Sequence, residues 1–194
     1  MSLVAKNLSV SNSYLIPLSH PDAVNPECVG PKAANLAALS QAGLPTPGGF
    51  CLTSDAYRAQ MKALGLDVVA DGLDHPDSPL ARKISVQVRL GLYQQPIIPE
   101  ILEPLMAAWR AQRAASGMPG AIRSSALVED RKGSSFAGQF ESFLGISDEA
   151  EFLTAVRACW AALWTTNARR YMANNGLTPK DTAMGVLIQP LVGA

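Results

Sequence analysis

The sequence predicts a protein of mixed helix and strand around a real hydrophobic core. Three observations carry that prediction. Apolar runs such as Phe50-Cys51-Leu52 and Met184-Gly185-Val186-Leu187-Ile188 have strand length. Longer segments repeat apolar residues at helical spacing, as Ile101, Leu102, Leu105, Met106 and Trp109 do. Gly- and Pro-rich punctuation separates the two kinds of segment. The 194 residues, 48% of them hydrophobic, suffice for one generous domain or two small ones.

Taken in order, residues 14–18 read as a short strand, with Pro17 favouring an edge or a strand end. The following SHPDAVNPECVGP is rich in turn formers. Residues 31–42 read as a helix, with proline at the first position, alanine inside, and Leu36 and Leu39 on one face. Gly43 then Pro45 stop it. After the strand at 50–52, Thr53 or Ser54 caps a helix over 55–64. Residues 67–79 read as an irregular connection, and 80–93 and 99–115 as helices. A short strand over 121–125 enters a polar loop, and a strand over 140–146 leaves it. Asp148 caps one long helix reaching about residue 174, with Phe152, Val156, Trp160, Leu163 and Trp164 as its buried stripe. The apolar run at 184–188 is a buried strand.

Composition excludes several classes. Lys+Arg and Asp+Glu are 16 each, so the basic face that nucleic acid demands is not expected. No apolar run approaches the roughly 18 residues of a membrane helix, and the N-terminus lacks a long apolar centre. Cys28, Cys51 and Cys159 are widely spaced and form no C-x-x-C pair. They read as reduced thiols of a cytoplasmic protein, and His20 and His75, each before a proline, as loop residues.

Chemistry concentrates in AIRSSALVEDRKGSSFAGQFESF, residues 121–143. Small residues let backbone N–H groups approach an anion, serines add short donors, and Arg123 supplies a fork that matches phosphate. A phosphate-handling loop and a plain hairpin loop both fit this composition, and the P-loop pattern is absent. In the second segment, Lys32 sits in the first turn of a helix, where the macrodipole prefers anions. A bound anion relieves that conflict; a solvated lysine tolerates it. Glu129-Asp130 precedes Arg131-Lys132 and reads as a charged loop tip. Trp160 and Trp164 read as core rather than as a base-stacking pair.

Four segments then resemble one family. GPKAANLAALSQAGLPTPGGFCLTSDAYR is similar to the opening of the nucleotide-binding domain shared by phosphoenolpyruvate synthase, pyruvate phosphate dikinase and rifampin phosphotransferase. AIRSSALVEDRKGSSFAGQFESFLGI closely resembles that domain's arginine strand and glycine loop. CWAALWTTNARRYMANNG and MGVLIQPLV resemble its later helix and strand. The resemblance implies an α+β fold, the first part of an ATP-grasp domain, with a mixed or antiparallel sheet and flanking helices. It implies a tail over 1–13 and the domain portion over 14–194. Within that portion, 14–118 would form a first subdomain, and 119–194 the phosphate lid, long helix and adenine-side strand.

The resemblance further implies that Lys32 and Arg123 contact ATP phosphates and serve as the catalytic candidates. Ser135, Gly138 and Ser142 would lie on the loop covering the nucleotide, and Gln189, Pro190 and Leu191 on the segment lining adenine. Pro31 stands where the family has glycine, Ser142 where threonine is common, and Pro190 lacks an N–H. The implied cofactors are ATP and Mg2+, the metal ligands being expected outside these residues, as are a phosphohistidine domain and an acceptor domain. The expected function is the ATP-binding portion of a phosphotransferase that phosphorylates a histidine and then pyruvate or another small acceptor. The chain alone is expected to be inactive, and to associate with itself or with the remaining half-domain through an exposed apolar face. The rival is a non-catalytic nucleotide-sensing or interaction module. A carbohydrate-directed dikinase shares the same domain.

Overall fold

The structure of the chain is a computed structural model that describes residues 14–73, 78–128, 140 and 142–192. Among the described residues its centre is an open five-stranded sheet. Strands β1 (Leu15–Pro17), β2 (Phe50–Leu52), β3 (Gly120–Ala126), β4 (Ser142–Ile146) and β5 (Met184–Pro190) lie in the order β1-β2-β5-β3-β4. Every pairing is antiparallel. The fold is thus α+β, as expected, with an antiparallel sheet and flanking helices. Strands from both sides of residue 118 share this sheet, because β5 is inserted between β2 and β3.

The helices are α1 (Pro26–Val29), α2 (Pro31–Gln41), α3 (Ser54–Ala63), α4 (Leu66–Asp71), α5 (Pro79–Gln94), α6 (Pro99–Ser116), α7 (Glu149–Ala162) and α8 (Thr166–Asn174). Local chemistry explains most of their starts. The side chains of Thr53, Ser78 and Asp148 accept backbone N–H groups that have no partner within their helices. Proline opens α1, α2, α5 and α6, where its missing N–H costs nothing. Gly117, in the left-handed region at φ 65°, ends α6.

The two faces of the sheet are packed differently. On one, Phe50, Leu52, Ile122, Val186 and Ile188 meet the stripes of α6 and α7, including Ile101, Leu105, Val156 and Trp160. Trp109 stacks on Phe152 with ring centroids 4.1 Å apart. On the other, Ile16, Cys51 and Leu187 meet Val29, Ala33, Ala34 and Ala37 of α1 and α2. Among the described residues no helix is long and apolar enough to cross a membrane.

Three expectations about elements require correction. The helix expected to run to about residue 174 is two helices, α7 and α8. Thr165 takes an extended conformation and its hydroxyl accepts Ala168 N–H, restarting the helix. Leu163 and Trp164 at the break stay buried, and the Trp164 indole donates to the Tyr57 hydroxyl at 2.7 Å. The connection expected over 67–79 begins as α4, whose Leu66 and Ala70 are buried. On α2 the buried face consists of alanines, whereas Leu36 is half-buried and Leu39 is 46% exposed. That helix lies too close to the sheet for leucines to face it.

Candidate functional site

The close approach of α2 has an identifiable cause. Gly30, at φ 78°, joins α1 to α2, and a Cβ there would stand 2.2 Å from the Ser125 carbonyl oxygen. Directly across the β3–β5 ladder from Ser125 is Gly185, where a Cβ would stand 2.4 Å from the Val29 carbonyl oxygen. These two glycines let the α1–α2 junction rest on the strand backbone. The turn falls on Gly30, so Pro31 is simply the first residue of α2.

The N-terminus of α2 receives no side-chain cap from Gly30. Its cap comes from the sheet: Ser125 Oγ accepts the Ala33 N–H at 3.3 Å. Lys32, half-buried, reaches over β3 and donates from Nζ to the Ser124 carbonyl oxygen at 3.3 Å. The lysine ammonium, the start of α2 and β3 are therefore held together.

Strand alternation places Ala121, Arg123 and Ser125 on the α2 face of β3. Arg123 is exposed there and pairs with Ser142 on β4. Ala121 pairs with Gln189 on β5. Arg123, Ser142, Gln189, Pro190 and Leu191 line one cavity of about 350 Å³. Pro47, Ala121, Leu144 and Val192 complete its wall. At that wall Gln189 Nε2 donates to the Gly48 carbonyl oxygen at 3.1 Å, fixing the loop before β2. Leu191 N–H donates to the Pro119 carbonyl oxygen at 2.7 Å. The β2 pairing of β5 ends at Phe50 and Ile188, so Pro190 sits where β5 has β3 alone as its neighbour.

The structure thus brings five of the eight candidate residues into one cavity. Lys32 does not line it, yet stands on the same sheet face, bonded to the residue after Arg123. Ser135 and Gly138 lie outside the described residues, as do His75 and the 129–132 loop tip. The cavity-lining Pro47, Ala121, Leu144 and Val192, and the helix-capping Ser125, were not singled out from the sequence. A period-two reading from Arg123 finds Ala121 and Ser125. Pro47 and Val192 come from distant parts of the chain and leave no local signal.

The thiols do not contribute reactive groups here. Burial pushes the Cys51 thiol far up from its ordinary value, so it stays protonated and donates to the Leu52 carbonyl oxygen at 3.2 Å. Burial, with Asp55 and Asp22 nearby, also raises Cys28. Among the described residues no three His, Cys, Asp or Glu side chains gather into a metal-holding group.

Comparison with known proteins agrees with this architecture. The family described as pyruvate phosphate dikinase, AMP/ATP-binding domain, matches residues 26–194. The chain is 33% identical over 189 residues to a rifampicin phosphotransferase of Streptomyces sviceus, covering 95% of this chain and 22% of that protein. It is 31% identical over 175 residues to a probable phosphoenolpyruvate synthase of Staphylothermus marinus, covering 86% of this chain and 21% of that protein. It is 32% identical over 174 residues to a phosphoenolpyruvate synthase of Aeropyrum pernix, again covering 86% and 21%. The chain therefore spans 21–22% of the length of these relatives. On the extent of the match and the order of its motifs, the chain belongs to the pyruvate phosphate dikinase AMP/ATP-binding domain family.

Proposed function

We propose that this chain is the ATP-binding portion of an ATP-grasp phosphotransferase. The observation that carries the reading is the cavity in which Arg123 and Ser142 face the β5 end formed by Gln189, Pro190 and Leu191. ATP would supply a transferable phosphoryl group. The Arg123 guanidinium offers the triphosphate a planar fork, and Lys32 adds a second cation on the same sheet face. Ser142, with Ser135 and Gly138 that precede it in the sequence, would cover the nucleotide and exclude water. The apolar wall at Pro190, Leu191 and Val192 suits an adenine ring.

The whole enzyme would pass the phosphoryl group to a histidine and then to pyruvate or another small acceptor. Phosphoryl transfer rests on positioning and metal charge. This chain, which spans 21–22% of the length of its relatives, would then bind ATP without turning it over. Leu144 and Val192, 62% and 64% exposed at the cavity rim, would pack on the rest of the domain or on a second copy.

Calorimetric titration of the chain with ATP, with and without Mg2+, tests the reading. Binding that is lost in Lys32→Ala and Arg123→Ala is expected. Heat that neither substitution changes would remove the site from this cavity, and no heat with any nucleotide would favour a non-catalytic interaction module.

A further inference from the structure

A second cavity, of about 280 Å³, lies on the opposite face of the sheet from α2, between α5 and α8. Four arginines line it: Arg82 and Arg89 from α5, and Arg169 and Arg170 from α8. The whole chain has a formal net charge of zero, so this gathering is local. Like charges converging on one concave surface repel one another, and an anion among them removes that penalty. Among the described residues no carboxylate pairs with Arg82, Arg89 or Arg170.

An independent feature of the same wall points to a ligand. Ser85 is only 2% exposed, lines this cavity, and its hydroxyl has no hydrogen-bond partner among the described residues. A buried hydroxyl without a partner is costly unless a bound group satisfies it. Arg169 is 5% exposed and so is held in place by packing. Thr166, in the first turn of α8, adds a second hydroxyl to the wall. The cavity therefore offers the exposed guanidiniums of Arg82, Arg89 and Arg170, the buried positive charge of Arg169, hydroxyl donors and no lining carboxylate.

We propose that this cavity is a binding site for a phosphate group, separate from the candidate nucleotide cavity. A tetrahedral dianion can accept from several guanidinium forks and from both hydroxyls at once, which a monocarboxylate cannot. The site does not depend on the ATP reading, since it shares no lining residue with the Arg123 cavity.

The test is a thermal-shift and calorimetric titration of the 194-residue chain with inorganic phosphate against chloride at matched ionic strength. It is run in the wild type and in Lys32→Ala/Arg123→Ala, where the other site is disabled. Phosphate at about 20 mM should raise Tm by ~2–4 °C in both. The exposed pair Arg82→Ala/Arg170→Ala should weaken phosphate about tenfold or more. Ser85→Ala should weaken phosphate about threefold while leaving the phosphate-free Tm unchanged or raised, because it removes an unsatisfied hydroxyl. A shift no larger than that of chloride, a shift equalled by acetate, or one that survives Arg82→Ala/Arg170→Ala would overturn the proposal. So would a shift abolished by Lys32→Ala/Arg123→Ala, which places the phosphate at the nucleotide cavity instead.

Discussion

The two faces of the sheet solve different problems with different residues. On the α6–α7 face, volume is the currency of packing: Trp109, Phe152 and Trp160 fill the space against Ile122 and Ile188. On the α2 face, smallness matters: Gly30, Gly185, Ser125 and a run of alanines bring a helix start within hydrogen-bond reach of β3. The first arrangement yields a buried apolar interior. The second leaves Arg123 exposed beside a concavity and holds Lys32 across the strand. One face stabilises the fold, and the other uses that stability to hold charges in place.

The largest test of this contrast is Trp109→Ala. Removing an indole that is 2% exposed should cost about 3–5 kcal/mol, read as a lower denaturation midpoint. The ATP affinity of the molecules that remain folded should be unchanged. Gly30→Ala should cost about 1–3 kcal/mol, since its methyl has no room beside Ser125 and φ is positive. Unlike the tryptophan change, it should also weaken ATP by moving α2 off β3. If calorimetry finds ATP affinity intact in Gly30→Ala, the link between close packing and the site fails. Arg123→Ala should act in the opposite sense, altering stability by less than about 0.5 kcal/mol and weakening ATP about tenfold or more.

The smallest expected effect lies on the solvent side of α6 and α7. Arg110 forks onto Glu149 at 2.7 and 2.9 Å, and that hydrogen bond holds the Glu149 carboxyl below its ordinary range. A lowered carboxyl contributes stability that is present above its unfolded value and lost as pH falls through its folded one. Thermal midpoints measured from about pH 6 down to about pH 3 should therefore fall slightly more for wild type than for Arg110→Gln. Both side chains are largely solvated, so the difference should be small and should shrink in high salt.

The fold was legible in the sequence wherever a signal was local. Thr53 and Asp148 announce their helices, Gly117 ends another, and the α6 and α7 stripes give the core face. The break at Thr165 was hidden because Leu163 and Trp164 keep the apolar rhythm of α7 while the backbone leaves the helix. Leu39 misled because hydrophobicity outranks alanine in any pattern, although only the tertiary squeeze at Gly30 and Gly185 decides which side chains fit. At the site, Arg123 and Lys32 carry charge that a sequence displays. That Gln189 and Pro47 share a wall with Arg123 depends on β5 entering between β2 and β3, a long-range pairing with no local trace.

That insertion also has a consequence for how the polypeptide is made. A ribosome emits β1, β2, β3 and β4 before β5 exists, and β2 cannot meet β3 without it. Until residue 190 clears the exit tunnel, the inner edges of two strand pairs stand open, with their backbone groups available to any passing strand. The nascent protein would thus lean on chaperone shielding most heavily just before its central strand emerges.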